Sequence, residues 1–152
     1  MLFRSAVGLE TLYFNTGSGN TAVGNYALKP NTSGSSNTAI GYSALANITT
    51  TSYNTALGYQ AGNGSTLSNN VYIGHQAAYT GGNNDNVAIG YQALYTEGNT
   101  GNGNNVAIGS GASKITTSSA YNNVYIGYRA GYVATTNNGN TCVGAKIGRA
   151  HV

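Results

Sequence analysis

The stretch Asn86-Val87-Ala88-Ile89-Gly90-Tyr91-Gln92-Ala93-Leu94 decides how the chain is read, because it is written again and again along its length. It recurs at Asn20 to Leu28, Asn37 to Leu45, Asn54 to Gly62, Asn70 to Ala78, Asn105 to Ser113 and Asn123 to Gly131. Clipped copies stand at Ala6-Val7-Gly8 and at Asn140-Thr141-Cys142-Val143-Gly144-Ala145. Counted on the glycine after the aliphatic residue (Gly8, Gly24, Gly41, Gly58, Gly74, Gly90, Gly109, Gly127, Gly144), the step is sixteen to nineteen residues. So short a period, joined by connectors of Gly, Asn, Thr and Ser, is the signature of a solenoid whose repeats stack on their neighbours.

Within the phrase, residues two apart share a face of an extended strand. The third residue after asparagine is always aliphatic (Val23, Ile40, Leu57, Ile73, Ile89, Ile108, Ile126, Val143) and the first is Thr or Val, so both columns are expected to point into the solenoid. On that expectation Ile89→Asn opens its own coil and weakens the two beside it. The intervening Ala, Tyr or Cys is expected outside, and the glycine marks a bend or a close backbone approach. A recurrent alanine (Ala27, Ala44, Ala61, Ala77, Ala93, Ala112, Ala130) predicts a narrow interior. In register, Asn20, Asn37, Asn54, Asn70, Asn86, Asn105, Asn123 and Asn140 form a ladder whose amides bond from coil to coil. A coil of some seventeen residues has a perimeter of at most ~56 Å, and nine coils stack to about 43 Å. The expectation is therefore an all-β, parallel β-solenoid (β-roll) of about nine coils, a short rod. Helix is disfavoured by the density of glycine and β-branched residues.

So small a coil buries little, yet it is expected to leave Tyr42, Tyr59, Tyr72, Tyr91, Tyr125 and Tyr128 outside as ladders. Such rings form a contact surface, either between subunits or against a glycan.

Charged residues make up 6% of the chain, hydrophobic ones 40%, with 23 Gly, 1 Pro and 13 Tyr. That is too apolar and too periodic for a disordered chain. No apolar run reaches the ~18 residues of a membrane span, so no membrane insertion is expected. A lone Cys142 forms no internal disulfide. Catalysis has little to stand on: Glu10, Asp85 and Glu97 lie in separate segments, whereas glycosidases need paired carboxylates. His75 takes a tyrosine slot and is read as an outward ring. Asp85 is not repeated, as a calcium-binding roll would require. The chain is expected to be no enzyme and to need no cofactor or metal.

Both ends depart from the repeat. Ile147 to Val152 can be encoded by a common sequencing-library adapter, and its reverse complement encodes Met1 to Ser5 with GTG as start. Residues 1–5 and 146–152 are accordingly expected to be adapter-derived, residues 6–145 to form one solenoid domain, and the reading frame to come from a short metagenomic fragment of a longer protein. Without Arg4 and Arg149 the formal charge of +3 falls close to neutral, which argues against a nucleic-acid partner.

The phrases at 37–45 and 86–94 resemble the head repeats of trimeric autotransporter adhesins of the YadA type, and still more the short repeats of phage tail fibres that end in an endosialidase-type chaperone. The likeness covers Ala6 to about Ala145. It implies a left-handed solenoid assembled as a homotrimer, in an extracellular fibre on a virion tail or a bacterial surface. The repeat here is longer than the roughly fourteen-residue adhesin repeat. The function so implied is structural and adhesive: multivalent binding to a cell surface, glycan or protein receptor, the alternative being a self-assembling filament subunit without a specific ligand. Uncapped terminal coils are expected to fray or join end to end.

Overall fold

The structure is a computed structural model and describes residues 4–64, 67–80, 83–97, 103–116, 120–134 and 138–146. Nine strands form one parallel sheet in the order β1 (Arg4–Val7), β2 (Asn20–Val23), β3 (Thr38–Ile40), β4 (Thr55–Leu57), β5 (Val71–Ile73), β6 (Val87–Ile89), β8 (Val106–Ile108), β10 (Val124–Ile126) and β12 (Thr141–Val143). A second parallel sheet stacks β7 (Thr96–Glu97), β9 (Ile115–Thr116) and β11 (Val133–Ala134). The chain is a parallel β-solenoid, as the period requires. Each crossover is long enough to bring the next strand back in the same direction.

Register follows the phrase without a slip: Thr38 lies beside Thr55, Ala39 beside Ala56 and Ile40 beside Leu57, and likewise through the stack. β1 carries Arg4 and Ser5 beside Asn20 and Thr21, so the sheet includes two residues placed outside the domain by the sequence.

The inner face is the opposite of the one expected. Ala22, Ala39, Ala56, Tyr72, Ala88, Ala107 and Tyr125, the middle residues of their strands, are buried. The aliphatic column faces out: Val23 is 39% exposed, Ile40 38%, Leu57 45%, Ile126 37% and Val143 61%, with Ile73, Ile89 and Ile108 half-buried. The Thr/Val column accompanies it, half-buried to exposed. Two causes combine. The ladder asparagine shares the middle residue's face and is buried, satisfied by hydrogen bonds rather than by water. The interior is also too narrow for a branched chain opposite the second wall, where Ala27, Ala44, Ala61, Ala77, Ala93 and Leu28, Leu45, Leu94 already fill the space. Ile89→Asn is therefore not expected to open the coil, because Ile89 lies on the outer face of its strand.

Tyr72 and Tyr125 are likewise corrected: they are the largest buried side chains, not part of an outer ladder. Room is made by small residues on the facing wall. A side chain at Gly62 would overlap Tyr72, and one at Gly131 would overlap Tyr125. Leu28, Leu45 and Leu94 follow Ala22, Ala39 and Ala88 in their phrases, whereas Gly62 and Gly131 stand against Tyr72 and Tyr125.

The glycine after the aliphatic residue is fixed by two constraints at once. At Gly58 φ is +137°, a region closed to other residues, and an added Cβ would overlap the Gly74 carbonyl of the next coil. Its N–H donates to the Ile40 carbonyl at 2.8 Å, which continues the sheet's ladder around the corner.

Candidate binding surface

Three side-chain ladders run along the solenoid. The first is the asparagine ladder inside. The backbone N–H of each member donates to Oδ1 of the one before: Asn37 to Asn20 (2.9 Å), Asn54 to Asn37 (3.0 Å), Asn70 to Asn54 (3.1 Å), Asn86 to Asn70 (2.9 Å), Asn105 to Asn86 (2.9 Å), Asn123 to Asn105 (3.1 Å) and Asn140 to Asn123 (2.9 Å). Amide–amide bonds accompany these at several steps, for example Asn70 Nδ2 to Asn54 Oδ1 at 3.1 Å. The amide supplies both an acceptor for the next coil and donors for its own corner, where Asn70 Nδ2 also reaches the Leu67 and Ser68 carbonyls. Its role is to hold the coils together, since every member is buried except the half-buried Asn140.

The second ladder is aromatic and outward. Tyr42 stacks on Tyr59 (centroids 5.4 Å apart), Tyr59 on His75 (5.0 Å) and His75 on Tyr91 (5.4 Å), with Tyr26 edge-on at the start. Of the six tyrosines expected outside, Tyr42, Tyr59, Tyr91 and Tyr128 are exposed. His75 is the rung between two of them, a position its tyrosine slot already implied. The third ladder lies one residue on: Gln76 Nε2 donates to Gln60 Oε1, and Gln92 Nε2 to Gln76 Oε1, each at 3.0 Å. A shorter stack, Tyr79 on Tyr95, stands beyond them.

Both outer ladders stop at the same coil. Ser110-Gly111 stands where its neighbours carry Tyr91-Gln92 and Tyr128-Arg129, and a pocket of about 210 Å³ opens there. Lys114 and Arg129 reach into its lining, Arg129 lying over the rings of Tyr128 (5.2 Å) and Tyr132 (5.1 Å) and Lys114 over Tyr95 and Tyr132. Cation–ring contacts of this kind hold the charged heads in place.

Glu10 pairs with Lys29 on the surface at 2.5 Å, and that bond holds the ammonium above its ordinary pKa. Among the described residues no group of three His, Cys, Asp or Glu gathers to hold a metal, and no helix is long and apolar enough to cross a membrane. No family model matches the chain, and neither does any curated protein or solved structure.

Proposed function

We propose that the chain is a rigid repeat segment of an extracellular fibrous protein, of the tail-fibre or trimeric-adhesin kind, which joins two further copies of itself and binds a cell-surface glycan or receptor multivalently. One observation carries this reading: the sheet turns its alanines inward and its aliphatic column, Ile40, Leu57 and Ile126 among it, outward. From Val7 to Val143 the outer face of the nine-stranded sheet carries an unbroken aliphatic column with a Thr/Val column beside it. At ~4.8 Å per strand that strip is about 40 Å long, and at ~10 Å wide it covers some 400 Å², as large as the largest apolar patch of an ordinary monomer. A straight, in-register column is complementary to another copy of itself, and burying it supplies the hydrophobic stabilisation that an alanine-lined interior lacks. The threefold arrangement follows from the resemblance to trimeric fibres. Repetition of weak contacts along such a rod gives avidity without a single strong site.

Light scattering on a size-exclusion column tests this. Three times 15.5 kDa is the expected mass, and Ile40→Asp with Leu57→Asp should reduce it to one chain while the circular dichroism of the coil is kept. A monomeric wild type, or an unchanged mass in the double variant, would overturn the reading. A second reading is the self-assembling filament, in which the parallel stacking of coils continues from one chain to the next. Its sign would be species growing far beyond three chains with concentration.

A further inference from the structure

We propose that the notch at Ser110-Gly111 is a binding site for an acidic sugar, a pyranose unit bearing a carboxylate, within a surface polysaccharide. The notch exists because one coil omits two large side chains that the coils on either side supply. With rungs 5.0–5.4 Å apart in the intact part of the stack, the missing rung leaves space for one ring between the levels of Tyr91 and Tyr128. Its volume, about 210 Å³, is below the roughly 300–1,000 Å³ of pockets for drug-sized ligands and suits a single sugar ring.

The lining is chemically matched to that ring. Tyr91, Tyr128 and Tyr132 offer aromatic surface to the C–H faces of a pyranose. In the glutamine ladder each Oε1 accepts from the amide of the next coil, but Gln92 is followed by Gly111, so its Oε1 is left as an acceptor for a ligand hydroxyl. The Ser110 hydroxyl is exposed beside it. Lys114 and Arg129 supply the positive charge, and no carboxylate pairs with either among the described residues. In a chain with six basic residues in all, two converging on the one gap in the aromatic ladder set the preference for an anion. The stack from Tyr91 back to Tyr42 continues from the notch as a row of exposed ring edges, along which neighbouring neutral units of the same glycan can lie.

This site rests on the glycan-binding part of the proposed function and not on the assembly. The test restores the repeat's own consensus: Ser110→Tyr with Gly111→Gln fills the notch with residues already tolerated at Tyr91 and Gln92, where φ of Gln92 is +52° and that of Gly111 +66°. Methyl β-glucuronide, methyl β-glucoside and inorganic phosphate are titrated into the wild type, the filled variant and Arg129→Gln by calorimetry and by the aromatic NMR signals, with the mass of each sample measured alongside. Expected are glucuronide binding that moves tyrosine signals, loss of that binding in the filled variant at unchanged mass and melting temperature, and a roughly tenfold or greater weakening in Arg129→Gln. Equal binding of the glucoside, phosphate competing as well as the glucuronide, undiminished binding in the filled variant, or no glucuronide binding would each overturn the site. The mass readings report separately on the assembly.

Discussion

Removing one rung of the buried ladder tests the account of what holds the coils together. Asn70 Oδ1 accepts the Asn86 N–H at 2.9 Å, and its Nδ2 donates to Asn54 Oδ1 and to the Leu67 and Ser68 carbonyls at 3.0–3.2 Å. Asn70→Ala leaves the buried Asn86 N–H without its acceptor and takes a donor from the half-buried Leu67 carbonyl, whereas the Ser68 carbonyl keeps the Asp85 N–H and Asn54 Oδ1 keeps the N–H of residue 70. At about 1–3 kcal/mol for the orphaned buried N–H, with less for a carbonyl that water can reach, the loss is on the order of 2–3 kcal/mol. For a domain of this size that lowers the melting temperature by about 2–4 °C per kcal/mol. Asn70→Asp separates the two roles of the amide. Its carboxyl keeps the acceptor for Asn86 but faces the carbonyls that Nδ2 served, so its folded pKa is raised above the ordinary value near 4. A raised carboxyl contributes fully only below its unfolded pKa, and that contribution is lost as pH rises through the folded value. The variant should melt near the wild type at pH 3 and far below it at pH 7. The background is quiet, because the chain has only 3 acidic residues. Thermal denaturation followed by circular dichroism reads both effects, with Asn47→Ala, which breaks an exposed amide pair, as a control within about 0.5 kcal/mol. If Asn70→Ala melted with the control, or Asn70→Asp showed no pH dependence, the ladder would not be what joins the coils.

Two further perturbations probe the corner and the interior. Gly58→Ala meets both the φ of +137° and the Gly74 backbone, and should cost at least ~3 kcal/mol in denaturant unfolding; a loss under 1 kcal/mol would show that the corner relaxes. Tyr125 buries a hydroxyl without a hydrogen-bond partner, and desolvation pushes its pKa up to about 12. Tyr125→Phe should therefore stabilise by about 1 kcal/mol at neutral pH. The wild type should also lose on the order of 2 kcal/mol relative to the variant between pH 10 and 12, since a pKa raised on folding contributes below the unfolded value and is lost as pH climbs to the folded one. Parallel melting curves across that range would refute it.

By itself the sequence determined whatever depends on repetition along the chain. Period gave the solenoid, and identical phrases stacked in register gave the parallel sheet, the corner glycine and the asparagine column, since each coil's neighbour is a copy of itself. What repetition could not decide was which face of the strand points inward. Alternation with a period of two is symmetric, and hydrophobicity alone chose Ile40 and Ile89 over Ala39 and Ala88. The choice is made by the width of the cavity, which exists only when both walls are present. Opposite Leu45 there is space for alanine, and opposite Gly62 there is space for Tyr72. The same holds for the notch: Ser110-Gly111 is a weak repeat in the sequence, and becomes a lined pocket only when Tyr91, Lys114, Arg129 and Tyr132 from three successive coils close around it.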